Sequence, residues 1–527
     1  MKKKFLWVLL LMVMFIAFAV PAAAVDVKFS GSYYAQGWYV DNPSVLDKSA
    51  PSTDPSWANN SRRSASAFYS QRFRLATEFQ VVEGLKLVTR FDALEKTWGD
   101  QSWAGSTGET MSRMQVNGPG GTAYTGAKIQ ENIEFERAYL DFNVPFGKFQ
   151  VGYMEIDQWG TTFLNSTLTT AGIRYYYNQG PWQAIAAIEK RAEYLGLAGG
   201  NLGNQGTGTK GGSGYIGQGS DADRDAYDLG GVYKFSVGEA GLLYQYIRNS
   251  QFKTQYNNGY LSQLSGLYPY AKLTFGNLFL EGEFMYGFGD LRSYETDGGV
   301  TNANPPTAGA SLNKAQNVGV TALGAYAHAM YDLKPAYLGA KFVYISGDDQ
   351  SNSDKATGSI LQSLQMNRSF FPTLILWNDD YQSSVGTIQG NVPAGATGAN
   401  RRTGQSYGVR QEMDNVWFYQ VYAGLKPTSK LDVKMAVSLA NADKKPKSDV
   451  GTVGKPGYYN SGANVTEFVS SQYGTELDLT ASYKIYDNLT YMIGAGYLWA
   501  GDYFKGYDSS AAVSNNYLLT HKLTLSF

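Results

Sequence analysis

The stretch SAFYSQRFRLATEFQVVEGLKLVTRFDALEK, residues 66–96, contains two segments in which apolar and ionised side chains alternate. In its first half Phe73 and Phe79 fall on one parity, and Arg72 and Arg74 fall on the other. Successive side chains of a strand point to opposite faces, so this period of two indicates a strand with one apolar and one ionised face. A Glu-Gly pair between the halves is typical of a tight turn. The stretch therefore predicts two antiparallel strands joined by a short connection.

Similar segments, bounded by Gly, Pro, Asn and Asp, recur along the whole chain. They predict about 18 strands, with 16 as the alternative count,. The predicted strands cover residues 26–40, 66–82, 85–96, 131–145, 147–157, 169–179, 182–193, 223–237, 240–250, 262–275, 277–288, 316–333, 336–347, 412–427, 430–441, 472–486, 488–502 and 516–527.

The connections between these strands alternate between eight tight turns and nine long, polar loops. Both termini then lie at the end that carries the short turns. Short turns at one end, long loops at the other and an even strand count are typical of bacterial outer-membrane barrels. A propeller would show an internal repeat of about 40–50 residues, and the sequence has none,. We predict an all-β fold, a transmembrane antiparallel β-barrel over residues 25–527.

The composition excludes several functions. The 527 residues contain no Cys and only two His, so thiol catalysis, cysteine-ligated metal sites and covalent c-type haem are excluded,. A catalytic triad or zinc site would have to use both His328 and His521. The 44 basic and 45 acidic residues do not suit a nucleic-acid-binding protein,. We expect no enzymatic activity, no cofactor, no metal site and no nucleic-acid partner.

Residues 1–24 begin with MKKK, continue with an apolar run from Phe5 to Val20 and end in PAAA. This order predicts a cleaved signal peptide, with the mature chain starting at Val25. An uncleaved membrane anchor is the alternative, but the run is 16 residues long and a helical span needs about 20,. We therefore expect a protein of the cell outer membrane, surrounded by its lipid and lipopolysaccharide.

If the apolar parity faces lipid, the ionised parity lines the lumen. Arg or Lys at the bilayer midplane costs about 2–4 kcal/mol, so ionised groups on so many strands must face water or one another. The pore-lining candidates are Arg72, Arg74, Glu78, Lys86, Arg90, Asp92, Arg137, Asp141, Arg174, Glu281, Glu283, Lys434 and Glu476. The arginines on the first strands have two interpretations: one wall of a transverse electric field, or a charge ladder in which they neutralise nearby carboxylates.

Aromatic residues near the strand ends also have two interpretations. They form either girdles at the two membrane interfaces or a path of rings along which sugars slide. The residues concerned are Tyr39, Trp182, Tyr331, Trp417 and Trp499.

The predicted loop 348–411 contains FFPTLILW at residues 370–377, a run too apolar for a solvated loop tip. This segment either folds into the barrel and narrows it, forms an extra hairpin, or contacts another protomer. The candidates for a constriction are Arg368, Phe370, Phe371, Trp377, Asp379 and Asp380.

Residues 71–99 and 131–163 resemble porin-like outer-membrane channel proteins of metal-reducing deltaproteobacteria. More distantly, the Arg-x-Arg strand, the Ala-Tyr-Leu strand and the Phe-Phe-Pro segment resemble the alginate-export barrel family. The chain also ends on alternating residues and the aromatic Phe527, which resembles the signal read by the barrel-assembly machinery.

The resemblance implies a channel and, in the metal-reducing group, a supporting role in extracellular electron transfer. We predict passive diffusion of small hydrophilic solutes and ions. The alternatives are a structural scaffold for outer-membrane multihaem cytochromes and a selective export channel. The oligomeric state stays open.

Overall fold

In a computed structural model the chain forms a closed antiparallel β-barrel. The structure describes residues 25–45, 65–98, 103–104, 110–111, 133–156, 158–193, 223–250, 260–294, 317–348, 355–357, 364, 369–378, 380–381, 385, 388, 390, 409, 413–446 and 467–527. The predicted signal peptide, residues 1–24, lies outside these ranges.

Within the described residues, 18 strands build the barrel, as the sequence predicts. They are β1 Asp26–Asp41, β2 Ser66–Val82, β3 Leu85–Thr97, β4 Ile133–Val144, β5 Gly147–Glu155, β6 Thr169–Gln179, β7 Trp182–Ala192, β8 Arg224–Phe235, β9 Gly238–Asn249, β10 Tyr260–Phe275, β11 Leu278–Tyr294, β12 Val318–Asp332, β13 Ala336–Ile345, β14 Val416–Leu425, β15 Leu431–Asn441, β16 Gln472–Tyr486, β17 Leu489–Ala500 and β18 Asn516–Ser526.

Each strand pairs with its neighbours in the chain, and the first strand closes the sheet on the last. β1 pairs antiparallel with β2 and with β18, in a register that runs from Ser32 opposite Ser526 to Asp41 opposite Tyr517. Closure leaves these barrel strands without a free edge, so their backbone N–H and C=O groups are paired within the sheet.

The two faces of the barrel differ as the period-two pattern predicts. Outward-facing side chains are large and apolar: Phe29, Ile188, Val421 and Leu519 are 63%, 55%, 61% and 51% exposed. The opposite parity carries the charged residues, many of which pair with one another across neighbouring strands. An apolar exterior around an ionised lumen is the arrangement of a barrel that crosses a membrane.

Aromatic side chains lie near both ends of the outer face. Tyr39 and Trp499 are exposed where β1 and β17 approach the long loops, and Trp182 and Tyr331 are exposed beside the short turns. Trp417 lies at the start of β14, also at the long-loop end. Exposed side chains on the outer parity point away from the lumen, so these positions fit interfacial girdles.

The largest departure from the predicted strand bounds is at β11. The sequence predicts its end at residue 288, whereas the strand continues to Tyr294. Its last residues, 289–294, begin with Gly-Asp, a pair typical of turns, and look like a loop in the sequence,. Gly289 has φ 130, and the pairing with β12 shifts register between Asp290 and Arg292, so a glycine-containing bulge lets the strand continue,.

Other elements are short. A strand Lys355–Thr357 runs parallel to β12, a two-stranded pair joins Trp103–Ala104 to Thr110–Met111, and Asp502–Lys505 forms a 3-10 helix. Over the described ranges, no helix is long and apolar enough to cross a membrane.

Candidate functional site

The lumen wall formed by β2 to β5 carries a continuous network of ion pairs, which we name the charge ladder. Its members are Arg72, Arg74, Arg90, Arg137, Asp92, Glu95, Glu136 and Glu155. Sequence reasoning selected the four arginines and Asp92 but omitted the three glutamates.

Arg74 forms the centre of the charge ladder. Its Nε donates to Oδ1 of Asp92 at 2.7 Å and its Nη2 donates to Oδ2 at 2.6 Å, while Nη2 also lies 2.9 Å from Oε2 of Glu136. Two parallel N–H donors matched to one carboxylate are the strongest geometry available to an ion pair. The side chain of Asp92 is only 2% exposed, so Arg74 neutralises a carboxylate that water barely reaches.

Arg90 and Arg137 extend the ladder toward β5. Arg90 lies 2.5 Å from Glu136 and 3.0 Å from Glu155, and Arg137 also pairs with Glu155. Arg72 is more loosely placed, 3.5 Å from Glu95. Each arginine therefore has a carboxylate partner. This is the arrangement expected if the arginines neutralise nearby carboxylates. A transverse field would require unpaired charge of one sign on this wall.

Nearer the short turns, the same wall carries two lysine–carboxylate pairs. Lys86 lies 2.9 Å from Glu78, and Lys148 lies 2.7 Å from Asp141. Gln150 also donates to Asp141, at 2.8 Å. The predicted residues Glu78, Lys86 and Asp141 thus belong to a wall of mixed sign.

Arg174 on β6 binds the backbone at the end of a neighbouring strand. Its guanidinium donates to the backbone oxygens of Glu155 and Ile156 and to the hydroxyl of Tyr176. Arginine cannot be deprotonated in a protein, so it is a permanent donor for such acceptors. Arg174 holds the point at which the chain leaves β5.

From that point the chain turns into the lumen. We name residues 158–168, which connect β5 and β6, the first inward segment. Trp159 donates its indole N–H to the backbone oxygen of Tyr268 at 2.8 Å. Thr161 donates its backbone N–H and its hydroxyl to Glu283, at 3.1 and 2.6 Å. Glu283, a predicted pore-lining residue on β11, therefore anchors a loop that crosses the lumen.

Residues 369–378, the second inward segment, belong to the predicted loop 348–411. Leu374, Ile375 and Leu376 donate their backbone N–H groups to Glu476 on β16, at 3.0, 2.7 and 2.9 Å. Gln420 donates to the backbone oxygen of Pro372 at 2.8 Å. Glu476 and Gln420 are on the lumen parity of their strands, so this segment lies inside the barrel.

The two inward segments meet. The ring of Phe370 contacts those of Phe163 and Tyr326, with centroids 5.7 and 5.2 Å away. Trp377 is buried against Phe418 and Tyr473. Loop and strand residues thus form one hydrophobic cluster inside the barrel.

The remaining constriction candidates take several positions. Phe371 is 37% exposed, and Asp380 lies 3.0 Å from Lys522 on β18. Arg368 and Asp379 lie outside the described residues. The second inward segment thus contacts β14 and β16, Phe370 reaches β12, and Asp380, just beyond the segment, contacts β18.

Below the inward segments, toward the short turns, a chain of hydrogen bonds links side chains of β11, β12 and β14. Oε1 of Glu281 lies 3.1 Å from Nδ1 of His328, and Nε2 of His328 lies 2.7 Å from the hydroxyl of Tyr422. Tyr326 also donates to Glu281, at 2.8 Å. Lys434 is next to this chain, with its Nζ 5.3 Å from the centroid of the Tyr422 ring.

Two features of the lumen were not predicted from the sequence. Glu136 and Arg137 are adjacent, so a period of two allows only one of them to face inward. A register shift between Arg90 and Phe91 brings both into the charge ladder,. The first inward segment did have a weaker signal, since WGTTFL at residues 159–164 contains three large apolar residues in a predicted loop.

Among the side chains that the structure describes, no group of three or more His, Asp or Glu residues is arranged to hold a metal ion.

No protein-family model matches the chain, and no curated protein matches it. Solved structures similar to it include OccK9 (OpdG) of Pseudomonas aeruginosa, with 12% identity over 95% of this chain and 99% of that chain and a TM-score of 0.43. OccK2 (OpdF) of the same organism has 10% identity over 95% and 98%, with a TM-score of 0.44.

A BenF-like porin of Pseudomonas fluorescens Pf-5 has 10% identity over 95% and 99%, with a TM-score of 0.42. Of these three neighbours, the last is a porin by name.

Proposed function

We propose that the chain is an outer-membrane porin through which small hydrophilic solutes and ions diffuse passively. The observation that carries this proposal is the reversal of polarity between the two faces of a closed barrel, with Phe29, Ile188 and Val421 outside and the charge ladder inside. Barrels of 16–18 strands are wide enough to enclose an aqueous channel.

In this proposal the two inward segments set the size of the passage. They fill the lumen between β10 and β16 with buried residues such as Phe163, Ile375 and Trp377. The ionised wall of β2 to β5 borders the part of the lumen that the inward segments do not fill. Because the charges of that wall are paired, it discriminates weakly between cations and anions.

Uptake of solutes by liposomes tests the proposal. Protein refolded into liposomes is expected to make them swell in an isotonic solution of arabinose, and more slowly in solutions of larger oligosaccharides. Correct folding is checked separately, by resistance to unfolding in cold detergent. Folded protein that produces no swelling with arabinose would refute passive diffusion.

The route to the membrane is part of the proposal. We infer export through the signal peptide of residues 1–24 and recognition of Phe527 by the barrel-assembly machinery. Phe527 supports this role because its ring is half exposed while its backbone pairs with Gly31 at the closing seam. Replacing Phe527 by Ala should lower the amount of folded barrel in cells but not refolding in detergent; equal amounts in cells would refute the inference.

The alternatives of a cytochrome scaffold and of selective export remain hypotheses. A sheath for a multihaem cytochrome needs a lumen free for its guest, whereas the inward segments occupy this one. The geometry therefore favours a channel. Co-purification of a cytochrome in fixed stoichiometry would support the scaffold and a role in electron transfer, and its absence from the native complex would exclude it.

A further inference from the structure

The short-turn end of the lumen contains a basic cavity, which we name the lysine vestibule. Its volume is about 960 Å³. The charged residues that line it are six lysines and two aspartates: Lys334, Lys341, Lys426, Lys430, Lys434, Lys484, Asp332 and Asp432. This differs from the charge ladder, in which acidic and basic groups match.

Both aspartates already have partners. Asp332 lies 3.9 Å from Lys334, and Asp432 lies 3.8 Å from Lys426. The hydroxyl of Tyr337 also donates to Asp432, at 2.8 Å. These carboxylates are therefore not the counterions of the remaining lysines.

Lys341 and Lys434 are the innermost lysines of the vestibule. Their Nζ atoms lie 5.9 and 5.3 Å from the centroid of the Tyr422 ring, so one aromatic ring brings two ammonium groups together. Over the described part of the chain, neither has a carboxylate oxygen within 4 Å. A cation over a ring gains about 0.5–2 kcal/mol, which does not replace a counterion.

The acidic groups that face these two lysines already contact other residues. Glu281 accepts from Tyr326 and contacts His328. Asp478, on the neighbouring β16, is buried beside Glu476, which anchors the second inward segment. Lys341 and Lys434 thus keep unmatched positive charge in a confined space, where an incoming anion would pair with both.

We propose that Lys341 and Lys434 form a binding subsite for a small oxyanion, a carboxylate or a phosphate, at the short-turn entrance of the lumen. The hydroxyls of Ser482 and Thr490 also line the cavity. The subsite gives the proposed channel a substrate class, and in that sense rests on the proposed function. Since the ammonium groups border water, binding weakens as salt screens them over about 8–10 Å.

Titration calorimetry of the detergent-purified full chain tests the subsite. The probes are inorganic pyrophosphate and succinate, which separate phosphates from carboxylates. We expect at least one to bind at low ionic strength, and the double variant K341Q/K434Q to weaken binding by about tenfold or more because two charge-assisted contacts are lost. The double variant K341R/K434R keeps both charges and should retain most of the affinity.

The control is Lys505→Gln, which removes one positive charge from the long-loop end, where Lys505 pairs with Asp502. It should leave the affinity unchanged. Absence of binding by both probes, equal affinity in K341Q/K434Q, or equal loss in the Lys505 variant would overturn the proposal. Binding without channel activity would refute the porin but keep the subsite, whereas solute passage without lysine-dependent binding would refute the subsite alone.

Discussion

Arg74 shows how one residue connects the stability of the barrel to the charge of its lumen. Its guanidinium pairs bidentately with the buried Asp92 and also contacts Glu136. Removing one partner of a buried pair leaves the other charge without compensation. Arg74 is therefore the position at which a single substitution has the clearest consequence.

We expect Arg74→Met to lower the free energy of unfolding by about 3 kcal/mol and to shift the selectivity of the channel toward cations. The loss arises because Asp92 keeps its charge in a place with little water, with only the looser contact to Arg72, at 3.8 Å, remaining. Urea unfolding in detergent micelles measures the stability, and the reversal potential in a KCl gradient measures the selectivity.

Two further variants give this prediction its controls. Arg74→Lys keeps the positive charge but loses the planar, two-donor guanidinium. Its free energy of unfolding should lie between those of Arg74→Met and the native protein. Lys445→Ala breaks the pair with Glu467 in the loops, where both side chains are about half or one third exposed, and should cost less than about 1 kcal/mol,. Equal stability of Arg74→Met and Lys445→Ala would contradict the role of the ladder.

At the scale of elements, the second inward segment decides how open the lumen is. Three of its backbone N–H groups are bonded to Glu476, which has no exposed surface. The strand beneath leaves room for it, since a Cβ on Gly496 would lie 3.2 Å from Cδ1 of Ile375. A carboxylate anchor and a glycine in the wall together seat the segment.

Because the chain has no Cys, single cysteines report directly on this seating. We expect Ile375→Cys to react with a water-soluble maleimide far more slowly than Ser509→Cys, which lies exposed in the loops. Adding Glu476→Ala should raise the rate at residue 375 by about tenfold or more, since each lost bond to a charged acceptor is worth about 1.5–3 kcal/mol.

Glu467→Ala is the matched control, because it removes an exposed glutamate that contacts Lys445 and not the segment. It should leave the rate at residue 375 unchanged. Equal reactivity of the cysteines at 375 and 509 in the otherwise native chain would mean that the second inward segment is not held inside the barrel.

Part of these elements could be predicted and part could not. The apolar run 370–377 identifies itself in the sequence, because solvated loop tips are polar. The residue that anchors it cannot be identified from the sequence. Glu476 is 100 residues from Leu376, and its parity marks it only as one of several carboxylates that face the lumen. The Glu283–Thr161 contact is equally remote, 122 residues apart.

For the whole molecule, the alternation of short turns and long loops predicts the 18 strands and their neighbours, because antiparallel pairing follows chain order. It also predicts which parity faces out. Local irregularities in the strand pairing are what the sequence does not predict. The register shift at Arg90 brings Glu136 into the lumen, and the bulge at Gly289 extends β11 beyond its predicted end.

The central claim is that this closed barrel conducts, and single-channel recording in planar lipid bilayers tests it most directly. Purified, folded protein added to one side of a bilayer in 1 M KCl should produce discrete, additive conductance steps. The steps should be larger or noisier in Glu476→Ala, in which the second inward segment loses its anchor. Folded protein that inserts into the bilayer and never raises its conductance would contradict the account.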